Sequence, residues 1–336
     1  MTARLEELFF FHSRTQRKDD MEKLSRRIKE KRLSFPHDVL PEFPRRNLLI
    51  EVTNACNHQC VFCANSKMRR RRGFIEPEIV ERVLGEAFAL GTREVGFYAM
   101  GEPLLDKNLA RYVRLAKNIG FDYTYMTTNG VFLDEGRCRE LVEAGLDSIK
   151  FSINAGTRES YRKVHGRDDF DLVIQNVRQA AEYRAKTRAK VRLYVSSVRT
   201  RLSADDSDAL RAAVGPYVDE VVFYPVYNQG GMMHEVNDSL MVSEPPKLKP
   251  PCPLPFNSLT VTCEGFVTAC CVDFEANLVV ADLHKTTLAD AWSSSQFKKL
   301  RQMHLQGDLG HTMCHNCLCN VDDAIEPLYA QGKDSK

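Results

Sequence analysis

Cys56, Cys60 and Cys63 stand in the segment Thr-Asn-Ala-Cys56-Asn-His-Gln-Cys60-Val-Phe-Cys63, directly after the apolar run Leu48 to Thr53. Three thiolates with three and then two residues between them can wrap a four-iron cube from one loop, whereas ferredoxin-type sites use four cysteines. One iron is then left without a protein ligand. An open coordination position separates a catalytic metal centre from a structural one, because a substrate or cofactor can bind there. A zinc or ferredoxin-like loop, or three unrelated buried thiols, are the plainer readings, since free cysteine is often a core residue.

A second group lies in the last third of the chain, after the proline-rich stretch Pro245 to Pro251: Cys252, Cys263, Cys270, Cys271, Cys314, Cys317 and Cys319. Glu264-Gly265 falls between two β-like runs, Leu259 to Thr262 and Phe266 to Ala269, and reads as a hairpin turn. Four cysteines that include a C-x2-C pair also satisfy tetrahedral zinc. His58, His304, His311 and His315 could tune metal centres by hydrogen bonding to their ligands, and Cys138 reads as a core or surface thiol. The basic run Lys67 to Arg72 could hold a phosphate or carboxylate, with a solvated charged loop as the plainer expectation.

The elements that must position these groups follow from periodicity. Short β-branched or aromatic runs at Leu48 to Thr53, Glu94 to Met100, Asp122 to Thr128, Ser148 to Asn154, Val191 to Val198 and Glu220 to Tyr227 alternate with helical stretches at Glu78 to Ala89, Lys107 to Asn118, Asp134 to Ala144 and Phe170 to Lys186. This is the α/β pattern of a parallel sheet, and six such units predict a partial (β/α)6 barrel. Barrel sites gather at the C-terminal ends of strands. The runs end in the cysteine loop, Met100-Gly101-Glu102-Pro103, Thr127-Thr128-Asn129-Gly130 and Phe151-Ser152-Ile153-Asn154, so these polar clusters are expected on one face. Each could also be a turn or cap.

C-x3-C-x2-C after a first strand, with Phe62 before the last cysteine, resembles the signature of the radical S-adenosylmethionine (radical SAM) superfamily. That resemblance implies the same partial barrel, with adenosylmethionine chelated at the open iron and cleaved by one electron to a 5′-deoxyadenosyl radical. It implies that Gly101, Glu102 and Pro103 position the methionine amino group, that Ser152 and Asn154 contact the ribose, and that Thr128 and Asn129 reach the methionine carboxylate or the substrate; Ser196 and Ser197 are weaker candidates. The C-terminal cysteines resemble the auxiliary-cluster domain called SPASM in its shortened twitch form, implying that Cys252, Cys270, Cys314 and Cys317 hold a second 4Fe-4S cluster. With only Cys319 following, a further cluster is not expected. A cluster closed by four thiolates would transfer electrons, taking the electron left on an oxidised substrate. A dehydrogenase then needs a base for the hydroxyl proton, for which Asp273 is a candidate; an epimerase needs a hydrogen-atom donor, for which Cys271 or Cys263 is suited.

Composition is permissive. The 336 residues are 43% hydrophobic and 27% charged, with 47 basic against 45 acidic side chains for a net charge of +2, so no global field points to nucleic acid. Glu6 and Glu7 sit where a secretory signal would be apolar, and no run approaches transmembrane length. Eleven cysteines at short spacings favour metal ligation over disulfides in a cytoplasmic protein. The expected organisation is a charged helical segment and linker (1–45), the barrel (46–230), a proline-rich bridge (231–251), the auxiliary domain (252–322) and a tail (323–336). The expected function is a radical oxidoreductase dehydrogenating a sugar, aminocyclitol or nucleotide-linked sugar, supplied with electrons by a flavodoxin or ferredoxin. A radical epimerase, a peptide-modifying enzyme of the same superfamily and a non-catalytic iron-sulfur or zinc scaffold are the alternatives.

Overall fold

The computed structural model describes residues 23–33, 36–242 and 249–329. Residues 243–248 of the expected proline-rich bridge, residues 34–35, the first 22 residues and the last seven lie outside them. One nine-stranded sheet runs in the order β6-β5-β4-β3-β2-β1-β7-β8-β9. Its strands are β1 (Leu48–Ile50), β2 (Glu94–Gly96), β3 (Tyr123–Thr128), β4 (Ser148–Ser152), β5 (Arg192–Arg199), β6 (Glu220–Pro225), β7 (Leu259–Val261), β8 (Phe266–Thr268) and β9 (Val279–Asp282). The first six pair in parallel, forming the expected partial barrel, which does not close. The anticipated hairpin is present as antiparallel β7 and β8, extended by β9, which the sequence reading did not anticipate.

The helices are α1 (Leu24–Leu33), α2 (Pro77–Ala89), α3 (Leu109–Ile119), α4 (Glu135–Glu143), α5 (Arg158–His165), α6 (Phe170–Thr187), α7 (Ser207–Val214), α8 (His234–Leu240), α9 (Leu254–Asn257), α10 (Leu288–Trp292), α11 (Ser295–Gln306) and α12 (Met313–Cys319). Their ends are set locally. Pro77 opens α2 with its fixed φ, the Asp134 side chain accepts the Arg137 N–H at the start of α4, and Thr157 with Ser160 forms a capping box on α5.

The strands carry one side chain outward and the next inward. On β3, Thr124, Met126 and Thr128 are buried against the helices, while Tyr123, Tyr125 and Thr127 face the barrel interior and retain exposure. Leu48, Ile50, Val95, Ile149, Phe151, Leu193 and Val195 fill the outer core. Pairing in β1 and β2 stops at Ile50 and Gly96, short of the expected Thr53 and Met100, because both chains then turn over the mouth: Thr53 bridges Phe74 and the Glu102 N–H reaches Ala55 O at 2.8 Å.

Two placements were not foreseen. The auxiliary segment does not stand apart, because β7 pairs in parallel with β1 and continues the barrel sheet past its open edge. The described part of the N-terminal segment, α1, packs on the barrel floor, where Arg27 bonds Glu94 Oε2 at 2.5 Å and lies 3.7 Å over the Tyr123 ring.

Candidate active site at the barrel mouth

The three-cysteine loop is held by backbone pairing. Cys63 N–H bonds Cys60 O at 3.0 Å, while Gln59 N–H and Val61 N–H bond His165 O and Val164 O at 3.2 and 2.9 Å. The loop therefore docks on the C-terminus of α5. Gly166, at φ +68, ends that helix in the left-handed region, and a Cβ there would stand 3.1 Å from Gln59 O. Burial pushes the Cys56 thiol up to about 11, with Glu102 and Cys63 adding to it. The Cys60 thiol is raised by burial and then by Cys63 and Cys56; burial raises Cys63 as well. Three neighbouring thiols that resist ionisation on their own suit a cationic metal cluster, which deprotonates a coordinating thiol. Phe62 packs with Val164, Val226 and Leu240 against Cys60 and Cys63 and walls the loop from water.

The expected strand-end clusters do meet, but as a latch. Gly101 passes beneath the 53–55 backbone, where a Cβ would come within 2.6 Å of Ala55 O and closer still to Thr53 O. Pro103 starts a short 3-10 turn. Glu102 Oε1 accepts from Leu104 N at 3.0 Å and Thr128 Oγ1 at 2.7 Å, and Oε2 accepts from Asn129 N at 2.7 Å. Burial nevertheless pushes this carboxyl up to about 7. Asn129 Nδ2 donates to Asn57 Oδ1 at 2.7 Å, so the ends of β1, β2 and β3 are tied in series. Glu102 and Thr128, expected to face adenosylmethionine, are thus chiefly a structural lock, because protein donors already occupy the carboxylate.

Asn154 departs from expectation in the same way. Its Oδ1 accepts Val198 N at 2.8 Å and its N–H donates to His165 Nε2 at 3.1 Å. Ser152, at the inward end of β4, keeps partial exposure toward the barrel. Ser196 Oγ is directed at Phe151 O, 3.5 Å away.

Lys67, Arg69, Arg71 and Arg72 are exposed, as expected of a solvated charged loop, but Arg70 is not. Arg70 is 8% exposed; its Nη2 donates to Glu51 Oε1 at 2.7 Å, its Nε to Glu264 Oε1 at 2.9 Å, and Nη1 lies 3.5 Å from Met100 Sδ. Glu51 Oε1 also accepts Cys263 N at 3.1 Å. One guanidinium therefore links β1, the segment before Gly101 and the turn after β7. Cys263 sits beside this ion pair, its Sγ 3.5 Å from Glu264 Oε2, and its thiol is raised by burial and then by Glu51 and Glu264, which keeps it protonated. Arg72 Nη1 donates to Asn54 O at 2.9 Å.

At the auxiliary site, Cys252 lies near Cys270, Cys314 and Cys317 and raises the thiol of each. For Cys270 the hydrogen bond to Cys271 is the larger cause, and for the other two it is burial. The four side chains come from the turn before α9, the loop after β8 and α12. Thr312 caps α12 through His315 N at 3.2 Å, His304 Nδ1 accepts Cys252 N at 3.3 Å, and Asn228 Nδ2 donates to Cys317 O at 2.8 Å. Four convergent thiols suit a cluster or zinc with every position filled.

Asp273 does not stand at the mouth as a base. It is fully buried, with Oδ2 accepting Thr268 Oγ1 at 2.7 Å and Leu278 N at 2.8 Å and Oδ1 accepting Asn277 N at 2.8 Å. These bonds shape the turn between β8 and β9, and leave it a structural carboxylate. Cys271 hydrogen-bonds the Cys270 thiol and lies close enough to Tyr98 and Tyr125 to raise both phenols, though less than burial does. The Tyr98 and Tyr125 rings meet edge to face at 6.0 Å, and Lys150 Nζ lies 5.6 Å from the Tyr98 centroid.

Of the remaining candidates, Cys138 is a core thiol of α4 and Cys319 and His311 are exposed. His165, which the sequence reading did not single out, is 1% exposed with Nδ1 3.4 Å from Cys60 Sγ. No short motif announces it, since 105 residues separate the pair.

Comparison with known proteins agrees with this geometry. A model of the radical SAM superfamily matches residues 50–196, and one of an iron-sulfur cluster-binding domain, SPASM, matches residues 252–318. The S-adenosyl-L-methionine-dependent 2-deoxy-scyllo-inosamine dehydrogenase of Niallia circulans is 25% identical over 284 residues, spanning 83% of this chain and 95% of that protein. The crystal structure of BtrN in complex with AdoMet and 2-DOIA has the same fold, with a TM-score of 0.56 at 22% identity over 83% of this chain and 93% of that one. So has SuiB of Streptococcus suis bound to S-adenosylmethionine, with a TM-score of 0.63 at 14% identity over 97% and 84%. With an open-edged barrel carrying the three-cysteine loop and a four-cysteine domain built onto its sheet, this chain belongs to the radical SAM superfamily and to its SPASM/twitch branch.

Proposed function

We propose that this enzyme uses adenosylmethionine at a cluster held by Cys56, Cys60 and Cys63 to dehydrogenate an alcohol carbon of a small hydroxylated molecule. The substrate class is a sugar, aminocyclitol or nucleotide-linked sugar. When bound, the cofactors supply a 5′-deoxyadenosyl radical and, through the auxiliary cluster, a one-electron acceptor. The observation that carries the reading is the convergence of Cys252, Cys270, Cys314 and Cys317 beside Cys271, close to the barrel tyrosine Tyr98. A group closed by four thiolates has no position for substrate, so its use is to take the electron that an oxidised carbon gives up.

The likeness to an aminocyclitol dehydrogenase along nearly its full length supports the same reaction class. The inward tyrosines offer flat faces to the C–H side of a sugar-like ring and hydroxyls to its rim. Two oxygen-sensitive clusters fit a cytoplasmic setting with a flavodoxin or ferredoxin as reductant. Among the described residues no helix is long and apolar enough to cross a membrane.

One observation favours a second reading. The Cys271 thiol lies near Tyr98 and Tyr125, a place that suits hydrogen-atom return in an epimerase. Anaerobic turnover of a polyol and nucleotide-sugar panel in deuterated water separates the two. The proposal expects one 5′-deoxyadenosine per ketone formed and no solvent deuterium on recovered substrate. Deuterium at an inverted carbon without ketone would replace it with epimerisation, and lost by Cys271→Ser would name the donor.

A further inference from the structure

His165 has a defined protonation geometry. Its Nε2 is 3.1 Å from the Asn154 backbone nitrogen, which can only donate, so Nε2 is the acceptor and the ring proton resides on Nδ1. That N–H points between two acceptors, Cys60 Sγ at 3.4 Å and His58 Nδ1 at 3.3 Å. His58 Nδ1 is then unprotonated and its Nε2, 3.4 Å from Asp169 Oδ2, carries the proton. Between a neutral imidazole nitrogen and a thiolate sulfur, the charged acceptor takes the bond.

The ring is held for this task. It stacks on Tyr161 with centroids 4.0 Å apart at 17°, and meets His58 edge-on at 5.2 Å. Its own backbone carbonyl binds Gln59 N, so side chain and main chain grip the same loop.

We propose that His165 is a positioning residue that donates its Nδ1–H to the Cys60 thiolate and thereby raises the reduction potential of the catalytic cluster. The reduced cluster carries one more negative charge than the oxidised one, so a donor on a ligand sulfur favours reduction. The ring bridges Asn154, just after β4, and Cys60 on the loop after β1, so it also fixes the loop against the strand end. The inference rests on Cys60 being a cluster ligand.

The test is redox titration of both clusters by electron paramagnetic resonance in wild type, His165→Phe, which keeps a ring on Tyr161, and His165→Asn, which keeps an N–H near Nδ1. Without adenosylmethionine, His165→Phe is expected to lower the reduced-to-oxidised ratio of the catalytic cluster about tenfold at the wild-type midpoint, about 59 mV for one electron. The auxiliary midpoint stays fixed and His165→Asn returns the wild-type value. Reduced wild type labelled with 15N-histidine is expected to show a nitrogen coupling on the catalytic cluster, a readout that needs no variant to fold. An unchanged midpoint in His165→Phe, an equal shift in both variants, or no nitrogen coupling in wild type would overturn the proposal. Catalytic iron retained in Cys60→Ala would overturn the ligand assignment beneath it, and iron content reports that separately.

Discussion

The two cysteine sites are built in opposite ways. Cys56, Cys60 and Cys63 come from a single loop whose shape is fixed by backbone bonds to α5, whereas Cys252, Cys270, Cys314 and Cys317 are drawn from three separated stretches that only the tertiary fold brings together. On the proposed reading the first site supplies three protein ligands and leaves an open position, and the second supplies four and leaves none. An enzyme that binds its cofactor at one cluster and only moves electrons through the other needs this inequality.

The comparison breaks most sharply at the ligands. Replacing Cys56, Cys60 and Cys63 together by Ala is expected to remove about four of about eight irons and abolish adenosylmethionine cleavage, leaving the auxiliary signal in place. Replacing Cys252 or Cys314 by Ala is expected to have the complementary effect: 5′-deoxyadenosine is still formed in chromatographic assays, while ketone formation is lost. Zinc at the C-terminal site by metal analysis would remove the electron acceptor and with it the dehydrogenase reading.

One side-chain link between the regions is Arg70, which holds Glu51 at the end of β1 and Glu264 in the auxiliary turn. Arg70→Met leaves a fully buried Glu51 without its cation and is expected to cost about 3–5 kcal/mol in urea unfolding. A loss below about 1 kcal/mol would show that the sheet pairing of β1 with β7 joins the two regions unaided.

Glu102 gives a smaller, pH-dependent effect. The folded protein holds this proton up to about 7, whereas the group's ordinary value is 4.5. Between those values the native state binds more protons than the unfolded chain, so stability falls as pH rises and levels off above 7. The full difference is about 3 kcal/mol at most. Glu102→Gln is expected to flatten the decline between pH 5.5 and 8, and a decline of wild-type steepness in that variant would assign it to another group. Asp273→Asn is the mildest change, expected to lose about 1–3 kcal/mol from its turn while retaining turnover per loaded cluster. Turnover that collapses in a fully loaded protein would restore Asp273 as a base.

How far each region could be read from the chain follows the same division. Local features were legible. The C-x3-C-x2-C loop, the strand run ending at Thr128 and the Glu264-Gly265 turn are written within a few residues, and the structure places them as expected. What depends on distant partners was not. Glu102 and Thr128 looked like exposed strand-end ligands until their mutual bond, 26 residues apart, used them up. Arg70 looked solvated because its two carboxylates come from 19 residues before it and 194 after. Asp273 is withdrawn from the mouth by backbone N–H groups four and five residues on, through a turn that no propensity specifies.

The most direct test of the account is electron paramagnetic resonance of the anaerobically reconstituted, reduced protein with and without adenosylmethionine, in wild type and in the Cys56/Cys60/Cys63 alanine variant. The account predicts two cluster signals in wild type, one shifted by adenosylmethionine and one indifferent to it, with only the indifferent one surviving in the variant. A wild-type spectrum unmoved by adenosylmethionine would contradict the open catalytic cluster and return the chain to a scaffold.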